Sequence, residues 1–297
     1  MQKQEIKDLI KKIRKYEIQI RKALVSHVQG DYHSIFKGSG LEFDDVRAYQ
    51  YGDDVRAIDW NVSAKGHGTF VKTFKEEKEQ TVLFLVDVSA SQEIGKPGES
   101  KIDVSREICG LLSFSALKEN SQVGLICFSD EKEKYVKPGK GNKHGYEILG
   151  QLFNLEPKSR KTDLSKAIKF TLNFVKKKSV IIVISDFIDD DYEHHLKGLA
   201  RKHDLVLIHI SDKRESNLPS LGIIPLHDKE SGKTLWVNTS SKNFRNKFNS
   251  KHSGSRNELE TFAMKNQADY LFVRTDQDYV SQLIRLFKVR NKYKKRA

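Results

Sequence analysis

The sequence is poor in cysteine and has no long apolar runs. Its 297 residues include only two cysteines, Cys109 and Cys127. They form no Cys-x-x-Cys pair, so neither a zinc site nor a disulfide framework is indicated, and we expect reduced, buried thiols. No apolar run approaches the roughly 18 residues that cross a bilayer, and no signal-peptide core follows the first residues. We therefore expect a cytoplasmic protein without a transmembrane segment.

Several enzyme signatures are also missing. The Gly232-Lys233-Thr234 sequence lacks the earlier glycine of a phosphate-binding loop, because position 227 is histidine. There is no Gly-x-Ser-x-Gly elbow of a serine hydrolase and no Asp-x-Asp of an aspartyl phosphatase. The histidines fit no metal-ligand spacing. We expect a protein without enzymatic activity, although its clustered acids and serines leave metal-dependent phosphoester hydrolysis as an alternative.

Positive charge is what the chain has in excess. The formal net charge is +13, with 31% charged and 37% hydrophobic residues, which indicates a globular protein with a heavily charged surface. This balance favours anionic partners such as nucleic acid, a membrane face or an acidic protein surface. No basic motif with interleaved aromatic residues predicts specific nucleic-acid binding. Binding of nucleic acid through the basic surface remains a second alternative.

The most informative stretch begins with an apolar run, residues 82–86. A short run of branched apolar residues is typical of a strand buried on both faces, as in a parallel sheet covered by helices. Asp87, Ser89 and Ser91 then follow at every second position. Since alternate residues of an extended segment point the same way, their oxygens should converge at the carboxyl end of the strand, where open α/β sheets bind ligands.

Oxygen donors of this kind predict a site for a hard divalent cation, Mg²⁺ or another such as Mn²⁺. Three ligands are too few, so the rest of the chain should supply others. Thr162 precedes a helical pattern, and Asp186 ends a second apolar run, residues 180–184. Each residue alone is more typical of a helix cap or a strand-end hydrogen bond. Together, at the ends of two apolar strands, they favour a metal site.

The order Asp-x-Ser-x-Ser, loop threonine and strand-end aspartate resembles the metal-ion-dependent adhesion site (MIDAS) of a von Willebrand factor type A domain. The resemblance implies that Ser89, Ser91 and Thr162 are hydroxyl ligands, directly or through water. It implies that Asp87 and Asp186 supply charge and hold waters. It also implies an open position on the metal that accepts a carboxylate from a protein partner.

A second informative stretch, residues 31–65, combines glycine turns with many charges. Arg47 and Arg56 are placed to form bidentate pairs with carboxylates, and Phe43, Tyr49 and Trp60 are expected to be buried against a sheet or helix. This stretch either binds a partner or locks an N-terminal subdomain onto the core. A second catalytic carboxylate cluster is a third, less favoured interpretation, because the acids have matching arginines and no histidine beside them. Its candidate residues are Glu42, Arg47, Asp53, Asp54, Arg56, Asp59 and Trp60.

Residues 42–60 read Glu-Phe-x-x-x-Arg-x-Tyr-x-x-Gly-Asp-Asp-x-Arg-x-Ile-Asp-Trp. This string resembles the hallmark of a bacterial family, the domain of unknown function 58, in which it precedes a von Willebrand type A domain. The resemblance implies an adaptor that works beside a MoxR-type AAA+ ATPase in maturing or remodelling other proteins. Family members with membrane-spanning segments differ from this chain, so a membrane-anchored role is not expected.

Strands that alternate with helices predict an α/β fold with a doubly wound, mostly parallel sheet and an N-terminal helical or irregular extension. We divide the chain into residues 1–78, an amphipathic helix plus the hallmark segment, residues 79–288, the type A-like domain, and a basic tail, 289–297. The basic helix predicted within residues 1–29 either binds a membrane or partner or packs on the domain. We also expect a loop over 138–145, and helices over 257–266 and 279–287.

Overall fold

The structure is a computed structural model that describes residues 11, 41–66, 68–76, 80–216 and 219–294. Twelve strands lie in these ranges: β1 (Leu41–Ala48), β2 (Phe70–Glu76), β3 (Thr81–Asp87), β4 (Gly95–Lys96), β5 (Glu99–Ser100), β6 (Gln122–Phe128), β7 (Lys132–Gly139), β8 (Val180–Ser185), β9 (Asp204–Ser211), β10 (Ile223–His227), β11 (Thr234–Asn238) and β12 (Asp269–Arg274). The helices are α1 (Trp60–Ser63), α2 (Lys101–Lys118), α3 (Gly141–Phe153), α4 (Leu164–Phe174), α5 (Glu193–Lys202), α6 (Lys213–Ser216), α7 (Lys242–Lys265) and α8 (Tyr279–Lys294).

A six-stranded sheet with the order β12-β9-β8-β3-β6-β7 forms the centre of the fold. All neighbouring strands in it are parallel except β7, which pairs with β6 in the antiparallel direction at one edge. The predicted doubly wound, mostly parallel α/β fold is therefore confirmed. After β3 the chain adds β6 on one side, and β8 is later added on the other. The carboxyl ends of β3 and β8 consequently lie at a switch point of the topology, where such sheets bind ligands.

Strand β3 is buried on both faces because its apolar residues serve two separate cores. Val82, Phe84 and Val86 pack with α2 and α8 on one face of the sheet. Leu83 and Leu85 pack with α4 and α5 on the other. This arrangement explains why residues 82–86 do not alternate between apolar and polar side chains. A polar side chain at any of these positions would lose its contact with water.

The helices beside the site begin at well-formed caps. Helix α2 starts with a capping box in which Ser100 and Asp103 each accept a hydrogen bond from the backbone of the other. Helix α4 starts after Asp163, whose carboxylate accepts a hydrogen bond of 2.8 Å from the Lys166 backbone. These caps fix where each helix begins, and therefore fix the loops that precede them.

Three predicted boundaries were wrong. The predicted loop over 138–145 is the end of β7 and the first turns of α3, because Gly145 packs against α2 and is needed there for its small size. Helix α7 starts at Lys242, not at residue 257. The sequence did not predict its first half, because that half is polar and poor in strong helix formers. Helix α8 continues to Lys294, beyond the predicted end at 287.

The hallmark segment contains a strand that the sequence did not reveal. Strand β1 pairs with β2 in the antiparallel direction, with an irregularity between Phe43 and Asp45. The pairing predicted for Arg47 is confirmed, since its guanidinium donates two hydrogen bonds of 2.8 and 2.6 Å to Asp53. Within the described part of the chain, Arg56 forms no such pair.

Other hallmark residues cap short turns or are exposed. Asp54 accepts a hydrogen bond from the Arg56 backbone, and Asp59 caps α1. The prediction that Trp60 is buried is wrong, because its side chain is 69% exposed. Tyr49 is partly buried. The side chains of Glu42 and Phe43, and the helix predicted within residues 1–29 apart from Lys11, lie outside the described residues.

Both cysteines lie in the core. Cys109 and Cys127 are free thiols, as predicted. Burial raises the pKa of Cys109 to about 12 and raises the pKa of Cys127 well above its ordinary value. They are therefore protonated and unreactive at neutral pH. In the ranges that the structure describes, no helix is both long and apolar enough to cross a membrane.

Candidate metal centre

Asp87 ends β3 and is completely buried. One of its carboxylate oxygens accepts a hydrogen bond of 3.0 Å from the Ser89 backbone. The other accepts hydrogen bonds from the Ser185 hydroxyl at 2.7 Å and the Gln92 amide at 3.3 Å. Asp87 thereby connects the end of β3 to the end of β8 and fixes the backbone that carries the two serines.

Ser89 and Ser91 follow β3 and place their hydroxyl oxygens 3.0 Å apart. Ser89 is buried, whereas Ser91 is partly exposed. The side chain of Ser91 also lies within hydrogen-bonding reach of the carboxyls of Asp186 and Glu230. Burial raises the pKa of Glu230 above its ordinary value, and the hydrogen bonds from Thr162 and Ser91 only partly oppose that rise. Ser91 therefore contacts both Ser89, from its own segment, and Asp186, from the end of β8.

Asp186 directly follows β8 and is buried, with one oxygen 2.6 Å from the ammonium of Lys101. Lys101 is completely buried and also forms an ion pair with Glu215. Glu215 in turn accepts a hydrogen bond of 3.0 Å from the Asp212 backbone. The sequence predicted Asp186 as a site residue but gave no role to Lys101 or Glu215.

Thr162 lies in the loop before α4, and its hydroxyl donates a hydrogen bond of 2.7 Å to a Glu230 carboxylate oxygen. Glu230 belongs to the turn between β10 and β11 and is partly buried. The structure thus connects Asp87, Ser89, Ser91 and Asp186 through side-chain contacts, and Thr162 joins them through Glu230.

The charges in this site are strongly coupled. Burial, and then the nearby charge of Asp186, raise the pKa of Asp87 to about 7. Burial also opposes ionisation of Asp186, but the ammonium of Lys101 holds the pKa of that carboxyl below its ordinary value. Burial alone would lower the pKa of Lys101, yet Asp186 and Glu215 raise it. A bound cation would relieve the repulsion between the two aspartates.

The donor set fits a hard cation. All the converging donors are oxygens, from serine and threonine hydroxyls and from carboxylates, with no sulfur or imidazole among them. Because Lys101 and Glu215 offset each other, Asp87 and Asp186 would balance a divalent ion once its charge had drawn the proton from Asp87. Within the described ranges no group of three or more His, Cys, Asp or Glu is placed to hold a metal ion.

Five further residues of the site were not found from the sequence: Gln92, Lys101, Ser185, Glu215 and Glu230. Ser185 precedes the predicted Asp186, so its position at the end of an apolar run was a usable signal. The positions of Lys101, Glu215 and Glu230 depend on contacts between residues 85, 114 and 68 positions apart in the chain. No local pattern could have identified them.

A family profile described as a protein of unknown function, DUF58, matches residues 45–258. An uncharacterized protein of Mycobacterium tuberculosis (strain H37Rv) is 25% identical over 276 residues, which cover 92% of this chain and 87% of that protein. The match begins in the hallmark segment and includes every residue of the candidate metal centre.

Two solved structures are also similar. The conserved hypothetical protein BatB from Bacteroides thetaiotaomicron matches with a TM-score of 0.45 and 14% identity, over 72% of this chain and 99% of that one. The SpRpn10 VWA domain matches with a TM-score of 0.39 and 13% identity, over 69% of this chain and 93% of that one.

Proposed function

The chain belongs to the DUF58 family and has a von Willebrand type A-like fold, and we propose that it is a metal-dependent protein–protein interaction module. The observation that carries this proposal is the grouping of Ser89 and Ser91 with Asp186, at the carboxyl ends of β3 and β8. These residues match the MIDAS pattern in residue type, order and place. Their oxygens form a donor set for a hard cation rather than an acid–base pair for catalysis.

In this proposal Ser89, Ser91 and Thr162 hold Mg²⁺ or Mn²⁺, with Asp87 and Asp186 supplying charge. When bound, the ion supplies an electrophilic position for a carboxylate of a protein partner. The residues of the chain itself do the positioning. Asp87 orients Ser89 through its backbone N–H, and Lys101 holds one oxygen of Asp186. Neutral hydroxyl donors leave most of the charge of the ion available to the partner.

We favour an adaptor over an enzyme because of what the two serines contact. Their described hydroxyl contacts are with each other, with Gln92 and with the carboxyls of Asp87, Asp186 and Glu230, and none is with a histidine. The ammonium of Lys101 holds the pKa of Asp186 below its ordinary value, which makes that carboxylate a weak base for activating a serine nucleophile. Phosphoester hydrolysis therefore remains the alternative, and release of phosphate from a model ester in the presence of Mg²⁺ would support it.

The family resemblance suggests which partner to look for. A MoxR-type AAA+ ATPase that donates an acidic side chain would use the proposed metal position, and the adaptor would present client proteins to it for maturation or remodelling. The basic net charge of +13 is compatible with an acidic partner surface. The cytoplasmic location expected from the sequence remains a prediction.

A pull-down tests this function. The tagged full-length protein is incubated with lysate of its own source in Mg²⁺ or in EDTA, beside Ser91→Ala, Thr162→Val and the control Ser115→Ala, which lies on α2 away from the site. We expect an AAA+ ATPase to be retained in Mg²⁺ by the wild type and the control only. Equal retention in EDTA, or by the site variants, would contradict a metal-dependent interaction.

A further inference from the structure

The turn of the β10–β11 hairpin, residues 228–233, places a carboxylate of the chain itself against the candidate metal centre. Glu230 accepts a hydrogen bond of 2.7 Å from Thr162 and lies close to Ser91. We propose that Glu230 is an internal ligand that occupies the position of the partner's carboxylate, so that an acidic partner segment binds by displacing this turn. The inference rests on the proposed function and identifies both its partner class and its regulation.

Hydrogen bonds within the turn position the backbone of Glu230. Asp228 accepts a hydrogen bond of 3.0 Å from the Glu230 backbone N–H and another from the Ser231 hydroxyl. Gly232, which adopts a left-handed conformation with φ of +69°, donates its N–H to the Asp228 carbonyl at 2.9 Å. These bonds lie within the turn and fix the conformation of the backbone that carries Glu230.

The turn is also attached to both loops that carry the hydroxyl groups. Arg160, in the loop before Thr162, donates a hydrogen bond of 3.2 Å to the Lys229 carbonyl. The Lys229 ammonium lies 3.0 Å from a carboxylate oxygen of Glu93, just after Ser91. Both contacts are solvent-accessible, and an exposed ion pair such as Lys229–Glu93 contributes little to stability. These contacts hold the turn in place, but a competing segment can displace it at low cost.

The same attachments indicate what the displacing segment looks like. When the turn leaves, Arg160 loses its carbonyl partner and Lys229 is separated from Glu93. Arg160 then remains beside the emptied position, whereas Lys229 leaves with the turn. A partner segment with one carboxylate directed at the site and a second acidic residue placed to pair with Arg160 would replace both contacts of the turn. We therefore infer an acidic peptide segment, not a nucleic acid or a single small carboxylate, as the occupant.

A copy of the turn supplied from outside tests this inference. The probe is a fluorescently labelled peptide of residues 226–235, cyclised through its ends, and a matched peptide carries glutamine at the position of Glu230. Binding to full-length wild type, Glu230→Ala and the control Glu156→Ala is measured by fluorescence anisotropy with Mg²⁺ and with EDTA. Glu156 is an exposed glutamate in the same loop as Thr162.

We expect the glutamate probe to bind Glu230→Ala at least about tenfold more tightly than the wild type. An internal ligand that occupies the site nine-tenths of the time lowers the apparent affinity of a competitor by about that factor. Glu156→Ala should bind the glutamate probe as tightly as the wild type does. The glutamine probe should bind Glu230→Ala and the wild type with equal affinity. Equal binding of the glutamate probe to Glu230→Ala and wild type, or equal binding of the two probes, would overturn the inference.

Calorimetry with Mg²⁺ alone separates the two proposals. Mg²⁺ that binds Glu230→Ala more weakly than the wild type by no more than about tenfold, the loss expected when a ligand engaged nine-tenths of the time is removed, supports both proposals together with the expected probe preference. Absence of Mg²⁺ binding would remove the proposed function, while the probe preference measured in EDTA would still decide the role of Glu230. A Glu230→Ala variant that loses Mg²⁺ affinity by more than about tenfold would show that Glu230 holds the metal permanently, which would overturn its role as a displaceable ligand.

Discussion

At the scale of single residues, the most unusual feature is a completely buried lysine. The ammonium of Lys101 lies between Asp186 and Glu215, on the first residue of α2. A lysine in this position of a helix is ordinarily solvated. Here the capping box at Ser100 fixes the start of the helix, so the side chain is directed into the site and must find carboxylates. The ion pairs in turn hold Asp186 in its ionised form.

Replacement of Lys101 tests this network. We expect Lys101→Met to lower the free energy of unfolding by about 3–5 kcal/mol, because Asp186 and Glu215 would be left buried without a counter-charge. Urea denaturation followed by circular dichroism at neutral pH measures the change. The exposed Lys96→Met provides the control. A Lys101→Met variant as stable as that control would show that the two carboxylates do not depend on the ammonium.

The residue scale also shows which positions of the site can be placed from the sequence. Asp87, Ser89 and Ser91 were predicted because a strand places alternate side chains on one side. Their convergence with Asp186 follows from two parallel strands ending at the same edge. Glu230 could not be predicted this way. It is 68 residues from Thr162 in the sequence, and it contacts Thr162 only because the β10–β11 hairpin lies against the site.

At the scale of elements, the contact between α2 and α3 depends on one small residue. A Cβ atom at Gly145 would lie 2.8 Å from Leu117 and 2.9 Å from Phe114, both on α2. The same helix α3 carries Gly150, where an added Cβ would meet nothing within 4 Å. One glycine is therefore required for packing, and the other only weakens the helix.

These two glycines predict opposite effects of the same substitution. Gly145→Ala should destabilise the protein by about 1 kcal/mol or more, because overpacking by a methyl group typically costs 1–3 kcal/mol. Gly150→Ala should be neutral or stabilise it by up to about 1 kcal/mol through helix propensity. Thermal unfolding of both variants beside the wild type measures the difference. Equal melting temperatures for the two variants would contradict the close approach of α2 and α3.

The elements that the sequence missed share a physical cause. Strand β1 is rich in charge, and its pairing with β2 depends on register rather than on an apolar run. The first half of α7 contains asparagine, serine and glycine, which disfavour a helix locally. The apolar strands β3 and β8 were predicted correctly because burial on both faces leaves a continuous signal.

At the scale of the whole molecule, topology brings the site together. The sheet order places β3 between β6 and β8, so the loops after β3 and β8 meet at one edge. Helices on both faces bury the strands and leave that edge as the natural place for a ligand. The fold therefore accounts for a single site to which β3, β8, the loop before α4 and the β10–β11 hairpin each contribute.

The structure also changes which variants are suitable for testing the site. A position at the end of a strand would by itself suggest that Asp87→Ala removes metal binding and leaves the fold intact. Asp87 is completely buried and accepts hydrogen bonds from Ser89, Gln92 and Ser185, so its removal would also leave buried donors without an acceptor. Ser91 and Thr162 are only partly buried, and their substitution tests the metal with less effect on the fold.

The central claim is that the oxygens around Ser91 hold a divalent cation. Its most direct test is a titration of the full-length protein with Mn²⁺, in which electron paramagnetic resonance measures the free ion. We predict a single bound ion per chain that Mg²⁺ displaces, and an affinity at least about tenfold lower in Ser91→Ala and Thr162→Val, with unchanged circular dichroism. Equal affinity in the wild type and both variants, or no bound ion in the wild type, would contradict the account.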